Sequence, residues 1–220
     1  MIFKIYNSYN RKKEVFKPIS EKLIKMYVCG PTVYNDPHIG NARPAVVFDV
    51  LYRLLNLLYP NVNYLRNITD IDDKINKEAQ KLDTTIDVIS NKYTKSYHED
   101  MYALNVLEPT HEPRATDHIN EIINMIQDLI DKDHAYEAEA HILFNVKSFK
   151  QYGGLSNRNL KEMVAGARVE VAPYKKNSHD FVLWKPSSSD LPGWDSPWGR
   201  GRPGWHIECS AMVKQELGES

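Results

Sequence analysis

The sequence predicts an α/β fold with a parallel sheet, interrupted by a small α+β insertion. Three observations predict it. Over residues 23–68 a buried-strand pattern, a tight turn, a long helical pattern and a second strand pattern follow one another. That order is a βαβ unit, and it implies parallel strands. Polar residues with chemical potential stand directly after each strand, at the carboxyl ends where open α/β sheets hold their ligands. Finally, a Pro-bounded stretch at 108–116 separates this unit from an amphipathic helix and a hairpin pattern.

Each element has its own warrant. Ile2, Phe3 and Ile5 suggest a short edge strand, and the polar run Asn7 to Lys13 reads as a turn. Leu23 to Val28 is mostly apolar and reads as a buried strand. Gly30, Pro31, Asn35, Asp36 and Pro37 supply turn chemistry. Arg43 to Leu58 is the expected helix, with Pro44 near its first position and Val46, Val47, Val50, Leu51, Leu54, Leu55 and Leu58 at helical spacing. Val62 to Ile68 alternates and is rich in β-formers. Asp72 and Asp73 read as a helix start, since acids favour the first turn. For Thr69 and Asp70, nearer the strand end, a cap and a polar site role stay open. Two helical patterns fill 73–105, broken near Asp83-Thr84-Thr85; His98, in the second, reads as a solvated or capped residue and the later His111 as structural.

Asp117 to Lys132 carries Ile119, Ile122, Ile123, Ile126 and Leu129 on one face, an amphipathic core helix. His134 to Val146 reads as a hairpin. Gly153-Gly154 lacks the Lys and Ser/Thr context of a phosphate loop. Asp180 to Lys185 fits either a helical turn or a strand. Three tryptophans and four glycines crowd 193–205, ahead of a helical pattern from Trp205 to Leu217.

Composition narrows the function classes. The chain has 220 residues and a formal net charge of −1, so overall charge gives no argument for nucleic acid. No apolar run approaches the ~20 residues of a membrane span. The N-terminus lacks a secretory signal pattern. Two cysteines in a chain this long do not make a disulfide scaffold. A cytoplasmic, reduced protein is expected.

The densest chemistry lies at 27–43. Cys29 stands at a strand end, and His38 and Asn41 stand at a helix entry, where free N–H groups and the helix dipole favour phosphate. Cys29 and Cys209 are separated by 180 positions with no CxxC pair. Two buried, unrelated thiols are one reading, because free Cys packs as a small hydrophobe. A shared site is the other. His206, three residues before Cys209, is a local candidate for a third ligand, with Glu208 weaker.

Three runs carry a family resemblance. His38-Ile39-Gly40-Asn41 looks like the HIGH-type signature of class I aminoacyl-tRNA synthetases. Met26 to Arg43, Arg66 to Lys74 and Arg202 to Met212 are similar, in order and spacing, to the cysteinyl-tRNA synthetase family. The resemblance covers essentially the whole chain but only the N-terminal part of the family's length. It implies a class I synthetase Rossmann-like parallel sheet, incomplete at the C-terminus. Residues 1–112 would form the first half of that catalytic domain, 113–192 a connective insertion, and 193–220 the start of the second half.

The resemblance also implies an activity: ATP-dependent activation of L-cysteine to cysteinyl-adenylate, with transfer to tRNA(Cys). His38 and Asn41 would be catalytic. Gly30, His38, Gly40 and Asn41 would bind ATP, with Mg2+. Thr32, Thr69, Trp205 and His206 would line the substrate pocket. Cys29 and Cys209 would be ligands of one Zn2+, whose remaining His and Glu ligands come from a segment this sequence does not reach; His206 is therefore given to the pocket rather than the metal. Packing separates near-isosteres such as cysteine and serine by no more than ~100-fold, whereas a soft metal site favours the thiolate. The family often has a second His where this chain has Asn41, which keeps a donor but is never charged. Pro31 and Asn35-Asp36-Pro37 also depart from the commoner residues. A KMSKS-type loop and the anticodon-binding domain are absent, so a fragment that does not aminoacylate tRNA by itself is expected. The expected protein is a monomer without membrane contact. Two alternatives stay open: a tRNA-independent cysteine ligase of related fold, and a non-catalytic zinc- or cysteine-binding module.

Overall fold

A computed structural model describes residues 2–157 and 172–219, without the Trp205 side chain. The chain divides into two compact units. One is Met1–Pro18, Ile123–Ser188 and Gly193–Ile207; the other is Ile19–Ile122, Ser189–Pro192 and Glu208–Ser220.

The second unit holds the βαβ element. Strand β3 (Ile24–Val28) pairs in parallel with β4 (Val62–Arg66), Ile24 opposite Val62 and Val28 opposite Arg66. Helix α1 (Ile39–Leu58) connects them. The pairing runs on past both strand ends through a parallel bridge between Thr32 and Thr69, with the Thr69 N–H donating to the Pro31 carbonyl at 3.0 Å. Helices α2 (Asp73–Lys81) and α3 (Ile86–Ala103) follow. Asp72 caps α2, its side chain accepting from the Lys74 N–H at 2.8 Å. Val33, Ala42, Ala45, Ile68, Ile75, Ile89 and Tyr93 meet in this unit's core.

Two expectations about α1 are corrected. The helix begins at Ile39 rather than Arg43, and Pro44 lies inside it. There the ring removes the N–H that would reach the Gly40 carbonyl. The start was hidden because the cap is His38, outside the usual Ser/Thr/Asp/Asn set. Val46, Val47 and Val50 are also exposed, whereas Ala42, Ala45, Asp49 and Leu55 are buried. The buried stripe tolerates Asp49 because its carboxylate accepts from the Leu107 N–H at 2.9 Å and from Arg53 Nε at 2.7 Å.

The Pro-bounded stretch at 108–116 is not a free linker. It runs parallel to β4 through isolated bridges, Leu65 to His111 and Ile68 to Arg114. Its backbone both accepts and donates: His111 O accepts from Arg66 N at 3.3 Å and Pro113 O from Ile68 N at 2.9 Å, while Thr110 N donates to Tyr64 O at 2.8 Å and Ala115 N to Ile68 O at 3.2 Å. Proline cannot donate, which explains a strand-like segment without a regular ladder.

The first unit is antiparallel. Strands β1 (Lys4–Asn7) and β2 (Lys12–Val15) form a hairpin. Strands β5 (Ala135–Ala138), β6 (His141–Phe144), β7 (Phe181–Pro186) and β8 (Gly201–Pro203) form a four-stranded sheet in that order. The ambiguous run at 180–185 is therefore a strand. Buried Asp180 ties the sheet's flank together, accepting from Tyr136 Oη at 2.7 Å, Asn177 N at 3.0 Å and Val146 N at 3.1 Å. Helix α4 (Ile119–Asp131) and helix α5 (Trp205–Leu217) match the predicted helical patterns.

Candidate active site

The carboxyl ends of β3 and β4 converge on Asn67, a residue with no exposed surface. Its Oδ1 accepts from Tyr27 Oη at 3.0 Å and from Gly30 N at 3.0 Å, and its Nδ2 donates to Thr69 Oγ1 at 3.2 Å. Gly30 is required by this closeness: a Cβ there would lie 1.6 Å from the Asn67 carbonyl oxygen. The Cys209 thiol also reaches Asn67 Oδ1, at 3.8 Å.

Cys29 and Cys209 stand with their sulfurs 3.1 Å apart. Residues 180 positions distant in sequence are thus brought to one point. Donation from the Cys209 thiol draws the Cys29 pKa down to about 7, against an opposing effect of burial. Cys209, the donor of that bond and partly buried, is pushed up. Burial, then the neighbouring Cys209, pushes Tyr27 up as well. Ionisation of the pair therefore begins at Cys29, with the remaining proton held on Cys209.

Two soft donors at this spacing fit a zinc ion. Zn–S bonds of about 2.3 Å at a tetrahedral angle place two sulfurs about 3.8 Å apart, an opening of less than ~1 Å from the separation seen here. Among the described residues no group of three or more His, Cys, Asp or Glu is arranged to hold a metal. The pair supplies half of a tetrahedral shell.

The helix entry lies beside the pair. His38 Nδ1 accepts from the Gly40 N–H at 3.0 Å, and Asn41 Oδ1 accepts from the His38 N–H at 3.0 Å, a reciprocal cap. The Asn41 and Ala42 N–H groups are bonded to the His38 carbonyl. The backbone donors expected for phosphate are thus largely spent within the helix. What remains are side-chain donors: with Nδ1 accepting, a neutral His38 carries its proton on Nε2, and Asn41 keeps Nδ2. Gly40 serves by its smallness, because a Cβ would lie 2.7 Å from His38 Cε1. Pro31, Thr32, Val33, Tyr34, His38, Asn41, Tyr93 and Tyr97 are among the residues lining a cavity of about 60 Å³. A second cavity, of about 70 Å³, touches Cys29, Gly30, Gly40, Asn41, Arg66 and Tyr97.

Cys29, Gly30, Thr69 and Cys209 thus gather around Asn67, while Thr32, His38 and Asn41 line the adjoining cavity. His206 belongs to the other compact unit, its ring edge-on to Phe181 at 5.0 Å. The side chain of Trp205 lies outside the described residues. Sequence reasoning missed Asn67 and Tyr27. Asn67 lies only two positions before Thr69 at the strand end, which was the available signal.

This arrangement, with a capped HIGH-type helix at the carboxyl end of a parallel strand pair, is that of a class I tRNA synthetase catalytic domain. The solved methionyl-tRNA synthetase of Mycobacterium tuberculosis, in complex with methionyl-adenylate, matches it with a TM-score of 0.60 at 12% identity, over 90% of this chain and 47% of that one. The likeness at that identity is one of fold. By sequence, residues 15–220 match the family described as tRNA synthetases class I (C) catalytic domain, and the chain belongs to that family. It is 62% identical over 216 residues to the cysteine–tRNA ligase of Paramagnetospirillum magneticum, covering 98% of this chain and 47% of that protein. It is 60% identical over 220 residues to that of Rhodospirillum rubrum, covering 48% of that protein. The chain thus spans about half the length of the curated relatives it matches. No helix among the described residues is long and apolar enough to cross a membrane.

Proposed function

We propose that this chain supplies the amino-acid- and nucleotide-binding half of a cysteine–tRNA ligase. The observation that carries the reading is the meeting of Cys29 and Cys209, sulfurs 3.1 Å apart, beside the His38–Asn41 cap. In this reading the L-cysteine carboxylate attacks the α-phosphate of ATP and pyrophosphate leaves. The aminoacyl group then passes from the adenylate to tRNA(Cys). Charge develops on the phosphoryl oxygens, and His38 Nε2–H and Asn41 Nδ2–H stabilise it by hydrogen bonds set in place before the reaction. Mg2+ accompanies ATP. No side chain acts as a nucleophile.

Cys29 and Cys209 would hold one zinc ion, and Thr69, Thr32, Trp205 and His206 would line the substrate pocket around them. A zinc ion there supplies a soft Lewis acid that prefers a thiolate to an alcohol. Selection of cysteine over serine follows from that preference without an editing step. Residues 113–192 are read as a connective insertion, supported by their supplying three of the four strands, β5, β6 and β7, of a separate sheet that β8 completes. A monomeric, cytoplasmic enzyme belongs to the same proposal.

The test uses the polypeptide extended to the length of its relatives. It should catalyse pyrophosphate–ATP exchange with L-cysteine and not with L-serine. Cys29→Ser and Cys209→Ser should each lose bound zinc, measured by elemental analysis, together with exchange. Exchange independent of cysteine, or full zinc content in both variants, would refute the reading.

A further inference from the structure

Cys29 follows directly on the last residue of β3, and Cys209 lies on α5. Both belong to the same compact unit, so their separation is set within it. The sulfurs are 3.1 Å apart, about 1 Å more than a disulfide bond of about 2.05 Å. Both are free thiols, and the chain holds no other cysteine. Each is carried on or at the end of a regular element, so the fold itself imposes the approach.

The two thiols differ in access. Cys29 is exposed, whereas Cys209 is half-buried. A cavity of about 70 Å³ touches Cys29, room for about five waters and hence for hydrogen peroxide. Susceptibility to oxidation follows exposure, and a sulfenic acid condenses with a thiol that can reach it. One sulfur open to an oxidant and a second within closing distance are an attacking and a resolving thiol.

We propose that Cys29 and Cys209 are a hydroperoxide-sensing dithiol, in which Cys29 is oxidised first and Cys209 closes the disulfide. The Cys29 sulfur attacks the peroxide O–O bond and keeps one oxygen as sulfenic acid. The other oxygen leaves as water with the thiol proton. The Cys209 sulfur then attacks the Cys29 sulfur, and the hydroxyl leaves as water with the Cys209 proton. The chain gives up two hydrogens and two electrons, and one hydrogen peroxide becomes two waters. Two molecules of a small thiol reverse the bond by exchange and leave as their own disulfide. The consequence for the site rests on the proposed function. A metal takes the thiolate, which a disulfide sulfur no longer offers. The oxidised chain would therefore lose its hold on zinc, and L-cysteine, itself a small thiol, would reopen its own site.

The experiment treats the metal-free 220-residue polypeptide with hydrogen peroxide and follows its intact mass. The expected product is a monomer lighter by two hydrogens, with Cys29 and Cys209 joined in one peptide pair. L-Cysteine should restore the starting mass. In guanidinium the bond should close at least about tenfold more slowly, since thiols 180 positions apart meet rarely in an unfolded chain. That comparison uses the wild type alone, so it decides even where a serine variant fails to fold by circular dichroism. Cys209→Ser should stop at oxygen addition on Cys29. Cys29→Ser, left with the half-buried thiol, should oxidise about tenfold more slowly. Disulfide-linked dimers as the main product, equal closure rates in folded and unfolded chains, or oxygen addition to the wild type without hydrogen loss would each overturn the proposal. The polypeptide of relatives' length separates this proposal from the functional reading. Oxidised and metal-free, it should take up no zinc by elemental analysis until reduced with L-cysteine. Full zinc uptake while the disulfide persists overturns the proposed control of the site. A closed disulfide in a polypeptide that, once reduced, shows no cysteine-dependent exchange defeats the functional reading and leaves the dithiol standing.

Discussion

Asn67 does at the residue scale what no single motif predicted. One side chain satisfies a tyrosine hydroxyl, a backbone N–H and a threonine hydroxyl, and touches Cys209. Removing it strands buried donors and acceptors at about 1–3 kcal/mol each. Asn67→Ala should therefore destabilise the fold by roughly 2–4 kcal/mol in denaturant unfolding. Because it also positions Cys209, zinc affinity should drop by about 10–100-fold in chelator competition, the usual effect of losing an outer-shell partner. Unchanged zinc affinity would make Asn67 a purely structural residue. Its neighbour Asp70 offers a second test. Burial raises its carboxyl pKa, opposed by bonds from Thr116 N at 3.0 Å and Thr116 Oγ1 at 2.6 Å. A raised acid holds its proton more tightly in the folded chain than in the unfolded one. The stabilisation is complete below the ordinary carboxylate value of about 3.9 and is lost as pH rises through the raised folded value. Asp70→Asn keeps the acceptor for Thr116 N and does not titrate. The Tm of the wild type relative to Asp70→Asn should therefore fall as pH goes from about 4 to 7. Parallel Tm curves would contradict the assignment. Neither role was legible beforehand, because both depend on which atoms the strand ends bring together, and alternation alone does not report that.

At the scale of elements, hydrophobic period carried most of what was readable. The βαβ order, the break between α2 and α3, the hairpin at β5 and β6, and the bounds of α5 all follow from periodicity and turn residues. Errors arose where a rare device replaced a common one. An imidazole caps α1 in place of a hydroxyl or carboxylate, and Pro44 was read as a helix start when it sits within the helix. Prolines at 109 and 113 suggested a linker, yet the His111 and Pro113 carbonyls accept from Arg66 and Ile68, at and just past the end of β4. The valines of α1 repeat at helical spacing but are exposed, because the buried stripe is made of small residues and a paired Asp49. The His38 cap separates structure from chemistry. Asn at an N-cap is as good a structural residue as any, so His38→Asn should keep stability within about 0.5 kcal/mol. It lacks the outward Nε2–H, and loss of one such donor costs about 10²–10³ in rate. Exchange at wild-type rate by a stable His38→Asn would remove His38 from the chemistry.

For the whole molecule, the decisive fact is arithmetic of ligands. Zinc in protein sites takes four donors, or three with one position open to substrate. The described residues offer two sulfurs and no further His, Cys, Asp or Glu grouped with them, and the chain spans about 47% of the length of the relatives it resembles. Family membership was readable from three sequence runs, because motif spacing survives when a chain covers only part of a domain. A complete metal shell was not: among the described residues no third His, Cys, Asp or Glu joins the two sulfurs. Metal affinity grows with each correctly placed, deprotonated ligand, so half a shell should hold the ion weakly. The 220-residue polypeptide should therefore yield its zinc to a chelator of micromolar affinity, whereas the same sequence extended to the length of its relatives should retain it. The 220-residue polypeptide should likewise form no cysteinyl-tRNA under conditions in which the extended one does. Tight zinc retention by the short polypeptide, abolished by Cys29→Ser, would mean that the remaining donors already lie within these residues, and the two-thiol half-site would have to be redrawn.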